Sequence, residues 1–172
     1  MIKRLWRHLS WHRKKQFMFL SLLMIIASIM EIISIGSVVP FLGAITNPEQ
    51  VFNNELFQPI INLLDLDQPQ QLILPLTIFF VSATFIAAAV RLLLLYAITK
   101  FSFATGADLS IDIYKRTLYQ DYSTHISRNS SEVINGIITK TNLVISKILV
   151  PILNFISSLV IMIGIIAIIF TV

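Results

Sequence analysis

Three stretches of this chain, 17–45, 72–98 and 148–172, hold only two charged side chains between them, Glu31 and Arg91. Each exceeds the roughly 20 apolar residues that carry an α-helix across a hydrocarbon layer about 30 Å thick. In that layer water cannot bond the backbone, so each stretch must satisfy its own amides, and a helix does so. Composition agrees: 56% of residues are hydrophobic and 13% charged, at a mean hydropathy of +0.81. A soluble domain carries about a quarter charged residues, so lipid is the expected solvent. The first stretch follows a basic segment, as a secretory signal would. It is far longer than the apolar core of a signal and no small-x-small cleavage site follows, so it reads as a retained span.

The loops fix an orientation. Lys3, Arg4, Arg7, Arg13, Lys14 and Lys15 precede the first span. Between the first and second, from Thr46 to Gln71, stand Glu49, Glu55, Asp65 and Asp67 and no Lys or Arg. Lys100, Lys115, Arg116, Arg128, Lys140 and Lys147 follow the second. Because basic loops stay inside, the N-terminus and the segment 99–147 are expected in the cytoplasm and 46–71 outside.

Residues 1–16 place Ile2, Leu5, Trp6 and Leu9 at helical spacing among bases. That pattern reads as an interfacial helix on the anionic inner leaflet, or else as a basic tail. The outer loop reads either as a short amphipathic helix interrupted at Pro59 or as an ordered loop. Beyond the second span, Lys100 to Gln120 holds no proline and only Gly106 as glycine, with Phe101, Ala104, Ile111, Tyr114 and Leu118 as its expected apolar stripe. Asp112 and Arg116 form a favourable i,i+4 pair. Asn129 with Glu132 reads as a capping box, followed by a seam of Val133, Ile137, Val144 and Ile148. A helix from Ser130 to Val172 would be on the order of 65 Å long, twice the bilayer thickness. The expected fold is therefore an all-α membrane protein. It has three transmembrane helices and a cytoplasmic helical hairpin over 99–147, projecting roughly 30 Å by helical rise.

Several chemistries find no residues here. There is no cysteine, His8, His12 and His125 lack metal-site spacing, and no phosphate-binding glycine loop occurs. No catalytic constellation, metal site or nucleic-acid surface is expected. Glu31, mid-span, must be protonated against a neighbouring helix or face a partner or a watery cavity. Arg91 either snorkels to the inner leaflet or lines an inward-facing cavity, where it would attract an anionic head group. On helical rise their depths differ by roughly 10–15 Å, so a direct ion pair is not expected. Pro40 and Pro151 read as kinks or hinges.

Three segments carry a resemblance to a known family: "EIISIGSVVPFL" (31–42), "RLLLLYAITKFSFATGADLSIDIYKRTL" (91–118) and "YSTHISRNSSEVINGI" (122–137). The chain resembles the N-terminal half of the membrane domain of ABC exporters. Within them it looks most like flippases of lipid-linked oligosaccharides and their polysaccharide- and peptide-exporting relatives. The resemblance implies that 17–172 is part of a six-span domain, followed by three more spans and an ATPase in the same or a separate chain. It implies a dimer, with ATP and magnesium bound by that ATPase and no cofactor in this chain, and a bacterial inner membrane. The ending "IIAIIFTV", without a polar anchor, is what a chain cut after its third span would show. By the same resemblance Tyr122, Ser123, Thr124, His125, Ile126, Ser127 and Arg128 would form the coupling element that docks on the ATPase. A three-span scaffold whose stalk docks another partner is the competing reading.

The lack of cysteine makes the orientation directly testable. Single cysteines at Asn53 or Gln68 are predicted to react with an impermeant thiol reagent from outside intact cells. Cysteines at Ser110 or Ser127 should react only after permeabilisation. External labelling at Ser127 would reverse the topology.

Overall fold

The computed structural model describes residues 11–121 and 129–169, the last two by backbone alone. The expected tip residues 122–128 and the apolar face of residues 1–10 lie outside the described residues. Every regular element described is helical: α1 (Trp11–Gly36), α2 (Val38–Thr46), α3 (Pro48–Phe52), α4 (Gln58–Leu63), a 3-10 turn (Pro69–Leu72), α5 (Ile73–Leu118), α6 (Ser130–Val144), a π-turn (Ile145–Leu149) and α7 (Val150–Ile169). Three of these runs are long and apolar enough to cross a membrane, and only 22%, 17% and 11% of their most apolar windows is buried. Met18, Phe19, Phe85 and Leu92 are each about two-thirds exposed or more. Water would not tolerate so much bare hydrocarbon, so these faces belong in lipid.

The joins follow from the sequence. Residues 11–16, expected in a separate interfacial element, are instead the first turns of α1, because no breaker stands between Trp11 and Phe17. The helix is interrupted at Ser37, where Pro40 leaves the Gly36 carbonyl without its usual amide donor. Ser37 Oγ donates to the Ser34 carbonyl at 2.7 Å, and its amide to Ile33 at 2.9 Å. Pro151 acts likewise on Lys147, and the chain answers with the π-turn immediately before it. α5 passes from span to stalk without a break over 46 residues. At Asn129 the capping box is not formed: the side chain accepts from the Ser131 amide at 3.0 Å, one position before Glu132. An Asx-type bond two residues on suffices to cap the helix.

The described residues pack as two compact units, residues 11–24 with Leu94–Leu159 and Ile25–Leu93 with residues 160–169. In the second, the loop 46–71 folds as a helical cap. Ala44, Ile61, Leu72 and Leu76 form its core, with Phe52, Phe57 and Leu66 packed around. Asp65 adopts the left-handed conformation (φ 46°) just after α4, and the Leu66 amide reaches back to the Ile61 carbonyl at 3.1 Å. That six-to-one bond closes the helix and turns Leu66 into the same core.

In the first unit α5 and α6 meet at Gly106. A Cβ there would collide with the Ile145 side chain and touch Thr141. Ser102, Thr105 and Thr141 are buried alongside. The stripe named from apolarity therefore misplaces the contact below Phe101: Ile111, Tyr114 and Leu118 are more than half exposed, while Leu109, Ile113 and Thr117 face α6. Close approach favours small residues, which hydropathy does not reveal. The α6 seam fares better, since Val133, Ile137, Val144 and Ile148 are all partly buried.

Gly106→Val is predicted to destabilise the hairpin by about 1–3 kcal/mol through overpacking, with part of the loss recovered by adding Ile145→Ala. Gly136 has no atom within 4 Å of an added Cβ. Gly136→Ala should then be neutral or stabilise by up to about 1 kcal/mol. Equal thermal-unfolding midpoints in detergent for the two glycine variants would refute this packing.

Candidate functional site

Two charged contacts mark the places where these helices do more than fill lipid. In the second unit, Arg91 Nη1 donates to Glu31 Oε1 at 2.9 Å. This corrects the expectation that the two residues stand too far apart in depth to pair. That separation counted each residue from the limits of its own apolar run, and the observed contacts set another register. Ser34 Oγ lies 3.2 Å from Thr84 Oγ1, and the Phe41 and Phe80 rings stack at 4.8 Å. Both pairs place Glu31 opposite residues just N-terminal to Arg91, several ångströms nearer than the apolar limits imply. The length of the arginine stem covers the rest.

Bonding to Glu31 draws the Arg91 guanidinium toward the middle of α1's apolar run. The guanidinium side chain is 67% exposed and the carboxylate 23%. A hydrogen-bonded pair lowers the large cost of either charge alone at this depth. One turn along α1 from Glu31 and two turns along α5 from Arg91, Ser34 and Thr84 continue the polar track, with Thr84 also donating to the Phe80 carbonyl at 2.9 Å.

α7 packs on another face of α1. A Cβ on Gly164 would meet Ile32 Cδ1 at 2.7 Å and Ser28 Oγ at 3.0 Å, and Ser28 Oγ donates to the Val160 carbonyl at 3.4 Å. Glycine here lets two backbones approach where lipid supplies no hydrophobic drive for association. Neither Gly164 nor the Ser34–Thr84 contact was singled out from sequence; residue volume at helical spacing was the available signal.

In the first unit the stalk carries the other contact. Arg13 grips Asp108 through two bonds, Nε to Oδ2 at 2.6 Å and Nη2 to Oδ1 at 3.1 Å. The same guanidinium bonds the Ala104 carbonyl at 3.2 Å and Gln16 Oε1 at 2.7 Å. Phe17 packs beside Phe101, ring centroids 6.0 Å apart. In the sequence Arg13 counts only as one of several topology-setting bases, and nothing singles out Asp108. Distance along the chain hid their pairing. Hydrogen bonding from Arg13 holds the Asp108 carboxyl below its usual range, helped by the charges of Arg13 and His12 against the opposing effect of burial. The Arg13 guanidinium is correspondingly raised, first by its hydrogen bond to Asp108.

Beyond Gly106 the arms part around a groove of about 530 Å³. It is lined by Leu109, Ile113 and Thr117 on α5 and by Val133, Ile137 and Val144 among others on α6. Glu132 and Lys140 stand at its edge. The Asp112–Arg116 pair expected on the stalk is present at 3.7 Å, between two largely exposed side chains. Among the described residues no three of His, Asp and Glu gather to hold a metal ion. The coupling residues Tyr122 to Arg128 lie outside the described residues. Compared with known proteins, the chain matches no family model, no curated protein and no solved structure.

The clasp makes stability depend on acid. Asp108 has a folded-state pKa below its unfolded value, so its contribution is present above the ordinary aspartate range and lost as pH falls through the lowered value. With Asp108 half exposed, screening limits the effect to about 1 kcal/mol or less. Asp108→Asn should lower the thermal midpoint in detergent by about 1–3 °C at neutral pH. The difference from the unmodified chain should narrow as the pH falls through the ordinary aspartate range to about 3. An undiminished difference at that pH would deny the clasp its electrostatic role.

Proposed function

We propose that this chain is the first half of the membrane domain of an ATP-driven exporter or flippase. The cargo class is a lipid-linked glycan, a polysaccharide precursor or a peptide. Its hairpin 99–147 acts as a stalk in the cytoplasm, and the tip 122–129 couples to an ATPase domain of the same or another chain. Two such subunits make the working dimer in a bacterial inner membrane, with ATP and magnesium held by the ATPase.

The observation that carries this reading is the continuity of α5. It runs 46 residues without a break, about twice what a bilayer needs, and packs against α6 through the Gly106 contact. A rigid helical pair of this kind can pass displacement from one end to the other, which a loop cannot. The stalk's outer faces add support. Ile111, Leu118, Ile134 and Ile138 are about half exposed in a segment read as cytoplasmic. Such apolar surface in water calls for further helices to cover it. The same surface also suits a scaffold that docks some other partner, and function separates the two.

The tip decides between them. In a complete assembly with its ATPase, replacing His125 and Ile126 together by glycine should leave insertion and basal ATP hydrolysis near normal. Transport should fall at least about tenfold, as expected when energy transmission rather than chemistry is lost. A charge at Ile137 or Val144 should act differently, lowering expression because those positions lie on the seam. Normal transport per ATP in the glycine-tip variant would reduce the hairpin to a spacer.

A further inference from the structure

We propose that the π-turn Ile145–Leu149 is a register switch within the hairpin. When its extra residue passes into α-helix, α6 turns against α5 and presents a second apolar seam, one residue on from the first. The switch concerns how the hairpin repacks and does not depend on the transport reading.

A π-turn holds one residue more than the α-helix it interrupts. Here the Val150 amide bonds the Ile145 carbonyl, five residues back. Beyond the turn α7 is anchored, with Leu153 and Ser157 buried. If the turn becomes α-helical while α7 stays in place, each residue of α6 moves to the position its predecessor holds now. That is a rotation of about 100° and a shift of about 1.5 Å. Pro151 withholds the amide that an α-helix would give the Lys147 carbonyl, so the α form loses part of its usual advantage.

The sequence of α6 is apolar in both registers. Val133, Ile137 and Val144 now face α5, and the shift replaces them with Ile134, Ile138 and Ile145. Ile134 and Ile138 are 47% and 53% exposed, so the second seam stands ready beside the first. The exchange also suits the groove of about 530 Å³ between the arms. Gly136 gives way there to Ile137 and Val133 to Ile134, which adds bulk. Glu132 and Lys140 give way to Val133 and Thr141, which takes both charges off the wall. Two costs hold the observed register. Asn142 would enter the buried place of Thr141, and Ser146 would enter that of Ile145, which is seated against Gly106. A buried amide needs a hydrogen-bond partner, and the Thr141 hydroxyl in that place finds none among the described residues. The registers thus differ by a few buried side chains and no broken backbone, as a two-state element requires. A partner gripping the face that only one register shows would select that register.

The test uses the whole cysteine-free chain in membrane vesicles opened to both sides. Single cysteines replace Ile134, Ile138, Val133 or Val144, and a charged, water-soluble maleimide reports the reactivity of each. In the parent chain the first two should react at least about threefold faster than the last two, following their exposure. Two variants push the equilibrium from opposite sides. Gly106→Ala drives Ile145 off the crossing, whereas Asn142→Leu removes the buried amide from the shifted register and alters only an exposed residue in the present one. In each, the order of rates should reverse. Deleting Ser146 takes out the extra residue and fixes the present register, so either variant combined with the deletion should return to the parent order. Should Gly106→Ala fail to insert, Asn142→Leu decides alone. An inserted variant of either kind that keeps the parent order would show that α6 does not turn, and would overturn the inference. The deletion should itself leave insertion intact, because it makes the turn plain helix and keeps every α6 contact. Failure there, or a reversal that survives the deletion, would overturn it as well.

Discussion

The backbone of α5 has to be satisfied in two solvents along one uninterrupted helix. In hydrocarbon an unbonded amide or carbonyl costs several kcal/mol, so the helix cannot open there. In water it could open, yet it continues to Leu118 because nothing from Lys100 onward breaks it and because α6 packs against it. The change of solvent thus appears in side chains and not in the backbone. Lys100 lies 5.6 Å from the centre of the Tyr96 ring, and Lys15 stands over Trp11 at 5.8 Å, both one helical turn apart. Such aromatic–cation pairs suit a membrane–water interface, where one partner is apolar and the other wet.

The helices approach one another by subtraction of volume. At Gly106 and Gly164 a Cβ would strike Ile145 and Ile32 respectively, and serine or threonine lies beside each contact. Large apolar residues instead point outward, as Phe85 and Leu92 do, since lipid solvates them as well as a neighbouring helix would. The helical cap over 46–71 obeys the opposite rule. There Ile61 and Leu72 are buried in an apolar core that also takes in Ala44 and Leu76 from the adjoining helices. Water next to that loop restores the hydrophobic drive.

Two of the ion pairs show how much solvent alters the same chemistry. Arg13 and Asp108 form a bidentate clasp outside the spans, where screening keeps its contribution small and its main effect is to fix where α1 meets the stalk. Glu31 and Arg91 meet through one bond at a depth where neither could stand alone as a charge. Removing one member there should matter far more than removing one member of the clasp, because the survivor would be a lone ion in a poor solvent.

Apolar length, loop charge and the absence of breakers are local properties, and they suffice to read the three long helices, the expected orientation and the continuity of α5 from the amino acids alone. Pro40 and Pro151 likewise announce the interruption at Ser37 and the π-turn before residue 150, since a missing amide acts four residues away on its own helix. Contacts between helices are another matter. Hydropathy chose Ile111, Tyr114 and Leu118 for the α5 stripe, but the packed side runs through Gly106, Leu109 and Ile113, where small volume and not apolarity governs approach. The partner of Arg91 was beyond reach for a related reason. Depth counted along each helix carries an error of several residues, while an ion pair requires register within about one turn. Only tertiary structure sets that register, because it arises from the mutual fit of surfaces such as Phe41 on Phe80 and Ser34 on Thr84, which no single helix contains.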